Sequence, residues 1–187
     1  MIKMGVSGDL GSFSEEAALL YAQQQNLTVT LSYLIDMEGV LSALEKQEIE
    51  LGILPIVNLN GGLVKPALEA MGKHLFTPVD ELWFNVNQCL LVLPDTKQQQ
   101  ITRIVSHPQG LAQCSQYLEK EFNTIECLDW CDTAKAAKDL AAGHLDADCA
   151  VIASARAAQI YGLDVMAKEI QNSNPNLTAF ILVRGIL

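Results

Sequence analysis

The sequence predicts an α/β protein of two lobes with mainly parallel sheets. Three observations carry that expectation. Short apolar runs alternate with amphipathic or Ala-rich runs along the whole chain, the pattern of strands joined by helices that cover a sheet. Half of the 187 residues are apolar and 18% are charged, enough to bury one sizeable core or two smaller ones. Two turn-rich points, Phe76-Thr77-Pro78 and Asn172-Ser173-Asn174-Pro175, bracket the middle of the chain as linkers would. Lobe 1 is therefore expected over residues 1–78 plus 172–187, with lobe 2 inserted at 79–171. Such an arrangement is a periplasmic-binding-protein-like clamshell, which takes its ligand in an interlobe cleft at the C-terminal ends of strands.

The elements follow in order. Ile2 to Ser7 reads as a strand ending in Gly8. A helix follows from about Ser14 to Gln25. Ser12 or Ser14 can cap it, and Glu15 and Glu16 suit the positive end of its dipole. Leu27 to Leu34 alternates as a strand, and Met37 to Gln47 carries a helical stripe of Val40, Leu41 and Leu44. Leu51 to Ile56 is a buried strand that runs through a Gly-rich loop into a helix over Val64 to Met71. Glu81 to Leu93 holds one long strand or two. Strands are then expected at Ile101 to Ser106, Ile125 to Leu128, Ala147 to Ile152 and Thr178 to Arg184. Helices are expected at Pro108 to Phe122, Thr133 to Ala142 and Ala153 to Tyr161.

Composition excludes several function classes. The net charge of -10 argues against a nucleic-acid binder, which would show a basic face. An acidic protein that binds an anion must gather its few cations or its helix N-termini at the site. No apolar run approaches membrane-spanning length, so no membrane association is expected. Met1 to Val6 reads straight into a strand without a signal peptide, which points to the cytoplasm. The five cysteines, Cys89, Cys114, Cys127, Cys131 and Cys149, are odd in number and scattered, as reduced and mostly buried thiols would be. Cys127 and Cys131 lack a second pair or a nearby His, so no metal is expected. The dinucleotide fingerprint, the phosphate loop and the Ser/His/Asp set are also missing, and no cofactor is expected.

Four loops at strand-to-helix junctions or strand starts could carry chemistry. Gly8-Asp9-Leu10-Gly11-Ser12-Phe13-Ser14 can turn backbone N–H groups toward a ligand. Pro55-Ile56-Val57-Asn58-Leu59-Asn60-Gly61-Gly62 sets two asparagines and two glycines after a buried strand. Ser106-His107-Pro108-Gln109 combines a capping Ser, a helix-starting Pro and a His able to act as acid or base. Thr178 opens the last strand within Asn176-Leu177-Thr178-Ala179-Phe180. Read alone, each has an ordinary explanation as a turn, a cap or a core contact.

Taken together, these loops resemble prephenate dehydratase over nearly the whole chain. The resemblance rests on Gly11-Ser12-Phe13-Ser14-Glu15-Glu16-Ala17-Ala18 and on Pro55-Ile56-x-Asn58-x-x-x-Gly62-x-Val64. It continues through Ser106-His107-Pro108-Gln109 with Gln113-Cys114 and Tyr117-Leu118, then Asp132-Thr133-Ala134-x-Ala136-Ala137 and Ala157-Ala158-x-x-Tyr161-Gly162-Leu163. It closes on Asn176-x-Thr178-x-Phe180. The resemblance implies conversion of prephenate to phenylpyruvate with loss of water and carbon dioxide, a lyase step of L-phenylalanine biosynthesis. It implies that Thr178 is catalytic, assisting departure of the hydroxyl. Ser12, Asn58, Gly62, Ser106, Gln109, Thr133 and Phe180 are implied around the substrate. A homodimer and a small aromatic acid as the only other partner are implied as well. The family commonly carries a C-terminal ACT regulatory domain; this chain ends at Leu187 directly after the last strand, so feedback through that domain is not expected.

The sequence departs from the family at four site positions. Ala179 replaces the arginine of a Thr-Arg-Phe motif, and Val57 and Leu59 replace the Glu and Ser of a Pro-Ile-Glu-Asn-Ser loop. Gln88 stands where the family has a histidine. Losing a guanidinium should weaken binding of a dianion. Two alternatives follow from these changes: a relative that decarboxylates prephenate without expelling the hydroxyl, and a catalytically impaired homologue that binds or senses an aromatic acid.

Overall fold

The computed structural model describes residues 1–186. In chain order the elements are β1 (Ile2–Ser7), α1 (Phe13–Gln24), β2 (Val29–Leu34), α2 (Met37–Glu45), β3 (Leu51–Asn58), β4 (Gly62–Leu63), α3 (Lys65–Met71) and β5 (Phe76–Asn85). They continue with β6 (Cys89–Val92), β7 (Arg103–Ser106), α4 (Pro108–Gln113), α5 (Ser115–Phe122), β8 (Glu126–Asp129), α6 (Thr133–Ala141), β9 (Cys149–Ala153), α7 (Ala155–Tyr161), β10 (Asp164–Ala167) and β11 (Leu177–Gly185). The chain divides into two compact units. Unit 1 comprises Met1–Asp9, Phe13–Asn85 and the chain from Leu177; unit 2 comprises Leu10–Ser12 and Val86–Asn176. The division falls later than the expected 78/79 and 171/172. Phe76 to Asn85 is one continuous strand, paired along its length with β11, and the ladder holds it in unit 1.

Unit 1 is built on the sheet order β2-β1-β3-β11-β5, with β4 paired to β3. The pairs of β1 with β2 and β3 are parallel, while β11 runs antiparallel to β3 and β5. Successive residues of a strand face opposite sides, and both sides are covered. Ile53, Phe180 and Leu182 join Met4, Val6, Ala17, Ala18 and Tyr21 under α1. Leu54 and Val183 join Val40, Leu41, Leu44 and Ala70 under α2 and α3. The helix α2 is placed by local chemistry as well as by its apolar stripe. Asp36 caps α2, its Oδ1 accepting from the Gly39 N–H at 2.8 Å.

Unit 2 has the order β10-β6-β9-β7-β8. The pairs β7–β8 and β7–β9 are parallel; β6 runs antiparallel to β9 and β10. Leu91, Val105 and Val151 face α6 and α7, while Leu90, Ile104 and Ile152 face Cys114, Leu118 and Phe122 of the opposite layer. The α/β class is as expected, but both sheets are mixed where mainly parallel sheets were expected, because β11 and β6 each return against the parallel set. The single helix expected over 108–122 is two, broken at Cys114, whose ψ of 11° leaves the helical range. Burial pushes the Cys114 thiol up to about 12, with Cys89 adding to the shift. Cys89, Cys114 and Cys149 are buried and Cys127 and Cys131 exposed, all free thiols. Among the described residues no helix is long and apolar enough to cross a membrane, and no cluster of metal-ligating side chains occurs.

One ionic clamp in unit 1 makes its stability pH-dependent. His74, just before β5, sets Nε2 2.6 Å from Glu38 Oε1 and Nδ1 2.9 Å from Glu45 Oε2, the second contact being out of line for a hydrogen bond. The hydrogen bond to Glu38, then the Glu45 contact, raises the His74 pKa; the same contacts lower those of Glu38 and Glu45. A raised histidine stabilises most below its unfolded value near 6.5, and lowered carboxylates stabilise most above theirs near 4.5. The clamp is therefore strongest between these values. Melting curves of wild type and His74→Gln should differ most near pH 5.5 and converge as the pH rises through the folded histidine pKa. A difference that is flat in pH would refute the clamp.

Candidate functional site

In unit 1 the parallel strands β1 and β3 end in Ser7 and Asn58, and the antiparallel β11 begins beside Asn58, with Thr178 opposite it in register. Asn58 and Thr178 thus share one edge of the sheet, while Ser7 ends β1 four residues lower, one past the Val6–Ile53 pair. Asn58 is buried, and its amide organises that edge. Nδ2 donates to Thr178 Oγ1 at 2.9 Å and to the Leu177 carbonyl at 3.3 Å. Oδ1 accepts from the N–H groups of Asn60 at 2.9 Å and Gly61 at 2.7 Å, the side-chain-to-backbone turn that asparagine forms readily. The Thr178 oxygen accepts from an amide, so its own proton is directed to another acceptor. Thr178 is 6% exposed. Ser7 and Ser14, both buried, set their hydroxyls 3.1 Å apart and add a hydroxyl pair to unit 1.

In unit 2 the parallel strands β7, β8 and β9 deliver the N-termini of α4, α6 and α7 to one edge of the sheet. The cap of α4 is His107, whose Nδ1 accepts from the Gln109 N–H at 3.2 Å, in place of the expected Ser106. Asp132 caps α6, accepting from the Lys135 N–H at 2.8 Å, and Thr133 opens the helix. Ser154 caps α7 and donates from Oγ to the Gly11 carbonyl at 2.7 Å, while the Tyr161 hydroxyl donates to the Leu10 carbonyl at 2.8 Å. These bonds fix the Leu10–Ser12 loop on unit 2. Gly11 has φ +88°, and a Cβ there would lie 3.0 Å from the Ala157 backbone, so only glycine fits.

The expected site residues divide accordingly. Asn58 and Thr178 meet directly; Gln109 and Thr133, both partly exposed, stand at the helix-bearing edge of unit 2, and Ser12 is buried in its docked loop. Gly62 opens the two-residue β4 opposite Asn58, exposed at φ +73° and open on its Cβ side. Two expectations are corrected. Ser106 is fully buried and its hydroxyl donates to the Ile152 carbonyl at 2.7 Å, so it joins β7 to β9 and has no free face for a substrate. Phe180 lies in the unit 1 core, its ring edge-on to Phe84 at 6.3 Å. Of the four departures, Ala179 and Gln88 are buried, Val57 pairs with Ala179 within the sheet, and Leu59 is 58% exposed.

Cation placement adds one residue that motif reading missed. Arg103 begins β7 and pairs with Asp146 at 2.8 Å, and Arg184 lies near the end of β11; each is at the opposite strand end from its unit's site edge. Arg156, in the first turn of α7, puts a partly buried guanidinium at the same edge as Gln109 and Thr133. An arginine two residues after a capping serine was the available signal.

Two mixed α/β sheets with polar groups gathered at strand ends define a periplasmic-binding-protein-like fold. An ABC transporter periplasmic substrate-binding protein from Coxiella burnetii shares it at TM-score 0.54 and 17% identity, over 98% of this chain and 84% of that one. The prephenate dehydratase of Arthrobacter aurescens, solved in complex with L-Phe, shares it at TM-score 0.85 and 23% identity, over 100% of this chain and 61% of that one. The chain belongs to the prephenate dehydratase family, whose model matches residues 4–185. An arogenate dehydratase/prephenate dehydratase of Arabidopsis thaliana chloroplasts is 35% identical over 185 residues, covering 97% of this chain and 43% of the relative. The chain thus spans less than half the length of that relative.

Proposed function

We propose that this chain converts prephenate to phenylpyruvate in L-phenylalanine biosynthesis. The Asn58–Thr178 pair is the observation that supports it most strongly. In the reaction the bond from the ring to its carboxylate breaks and releases carbon dioxide. Its electron pair stays in the ring and completes the aromatic system, while the ring C–O bond breaks and its bonding pair leaves with the oxygen. Charge grows on the departing oxygen, and the Thr178 O–H donates to it; with a proton regained from solvent the group leaves as water. A threonine hydroxyl is a weak acid, so its value lies in being fixed before the charge develops. Asn58 supplies that fixation. Gln109, Thr133 and the N–H groups of the Leu10–Ser12 loop hold the substrate, and the α6 N-terminus favours a carboxylate.

Arg156, at the unit 2 edge that carries Gln109 and Thr133, meets a substrate carboxylate. Replacing it with leucine should lower kcat/KM about ten- to hundredfold, the worth of a hydrogen bond to a charged group, and chiefly through KM. Arg156→Lys should recover part of that. Steady-state kinetics would show the reverse if kcat alone fell.

The product tests the reading directly. Incubation of prephenate with the purified chain should give an aromatic ultraviolet spectrum and the mass of phenylpyruvate above a protein-free control. A decarboxylated, non-aromatic product would assign the other enzyme class, and tight binding without turnover would assign the sensor. The same reading places the protein in the cytoplasm as a homodimer, which sedimentation of the purified chain would test.

A further inference from the structure

Thr178 is the second residue of β11, close to a strand end, where ladders open most readily. The register with β5 pairs Leu177 with Asn85 and Thr178 with Phe84. Asn176 and Val86 stand where the next pair of that register falls, one residue before β11 and one past β5. They are bonded twice. The Val86 N–H donates to the Asn176 carbonyl at 2.9 Å, and the Asn176 side chain returns the bond, Nδ2 donating to the Val86 carbonyl at 3.0 Å. Paired residues of an antiparallel ladder exchange two such bonds through their backbones; here a side-chain amide supplies one of them. A carbonyl only accepts, so the amide has one orientation. The same Nδ2 donates to Gln113 Oε1 at 3.0 Å, in the last residue of α4. Asn176 is 1% exposed, so water does not compete for either bond.

We propose that Asn176 is a positioning residue for Thr178: it clasps the β5–β11 ladder one pair beyond its end and keeps the hydroxyl on a closed strand. The bonds of Leu177 carry the effect from one residue to the other. Its carbonyl accepts from the Leu59 N–H at 2.9 Å and from Asn58 Nδ2 at 3.3 Å, the same amide that donates to Thr178 Oγ1. When Leu177 swings away from Asn85, its carbonyl leaves Asn58, and the hydroxyl loses its fixed direction. A donor that meets charge as a C–O bond breaks works by being oriented beforehand, so loosening it costs rate. The inference rests on the dehydratase reading for the role of Thr178; the clasp itself does not.

The test uses Asn176→Ala and Asn176→Asp, each alone and together with Thr178→Ala. Alanine removes the side-chain bond and keeps the backbone one. Aspartate keeps the size but sets a carboxylate oxygen against the Val86 carbonyl, so one variant reports where the other fails to fold. Hydrogen exchange followed by NMR should show the Val86 and Leu59 amides exchanging about three- to tenfold faster than in wild type, the worth of one buried hydrogen bond. The Glu50 amide, bonded to the Lys3 carbonyl at the opposite end of β3 from Asn58, should not change. With prephenate, kcat should fall about three- to tenfold with KM little changed. In the Thr178→Ala background the same substitutions should cost less than about twofold, since no hydroxyl is left to orient. Loss of folded protein would instead lower kcat equally in both backgrounds. That result, or exchange that is unchanged at Val86 and Leu59 or rises as much at Glu50, overturns the proposal and leaves Asn176 as a support of the fold. An inert wild type would end the dehydratase reading, while the exchange comparison would still decide whether Asn176 clasps the start of β11.

Discussion

Replacing Thr178 with alanine is expected to lower kcat for phenylpyruvate formation by about 10²–10³, the usual effect of removing one preorganised donor to transition-state charge. The loss should fall on kcat with KM little changed, because the charge it meets exists only as the C–O bond breaks. Thr178→Ser keeps the oxygen but loses the methyl group that restricts the side chain. It should lie between wild type and alanine. A purely structural threonine would behave otherwise. Asn58 Nδ2 keeps the Leu177 carbonyl as an acceptor when the hydroxyl is removed, so the alanine variant should lose only about 1 kcal/mol of stability. An alanine variant as active as wild type, or one whose lost activity follows lost folding, would remove Thr178 from the chemistry.

The largest stability effect is expected at Phe180. Its ring is 2% exposed and packs with Met4, Val6, Leu82 and Leu182 as well as Phe84. Truncation to alanine should cost about 3–5 kcal/mol in lost transfer energy and residual cavity. At roughly 2–4 °C per kcal/mol for a chain of this size, the midpoint should fall by about 6–20 °C. Phe180→Leu should cost much less and leave KM unchanged, since the ring is directed to the core. A substantial rise in KM for Phe180→Leu, with little loss of stability, would restore the ring to the substrate.

The fold was readable in the sequence wherever local signals agreed with packing. Val40, Leu41 and Leu44 gave α2 a stripe, whereas its cap Asp36 and the caps Asp132 of α6 and Ser154 of α7 emerged only in the structure. β10 was not foreseen, because Asp164-Val165-Met166-Ala167 has no clean alternation and its ladder to β6 is irregular. The two-residue β4 exists only because β3 pairs with it. The boundary of unit 1 was misplaced because Pro78 looks like a linker, yet it lies within the β5 ladder to β11.

The candidate site was readable residue by residue but not as an arrangement. Thr178 has no local signature of chemistry. Its partner Asn58 is 120 positions away and arrives by strand pairing. Ser106 and Phe180 belong to conspicuous motifs, but a motif does not reveal which way a side chain faces.

A double-mutant cycle on kcat, built from Asn58→Leu and Thr178→Ala, bears most directly on the catalytic role of the paired side chains. Asn58→Leu removes the amide that holds the hydroxyl, so alone it should cost most of what Thr178→Ala costs. In the alanine background it should cost almost nothing further, the non-additivity of groups that act as one unit. Costs that simply add would show that Asn58 and Thr178 work independently, and the positioned hydroxyl would no longer explain how the hydroxide departs.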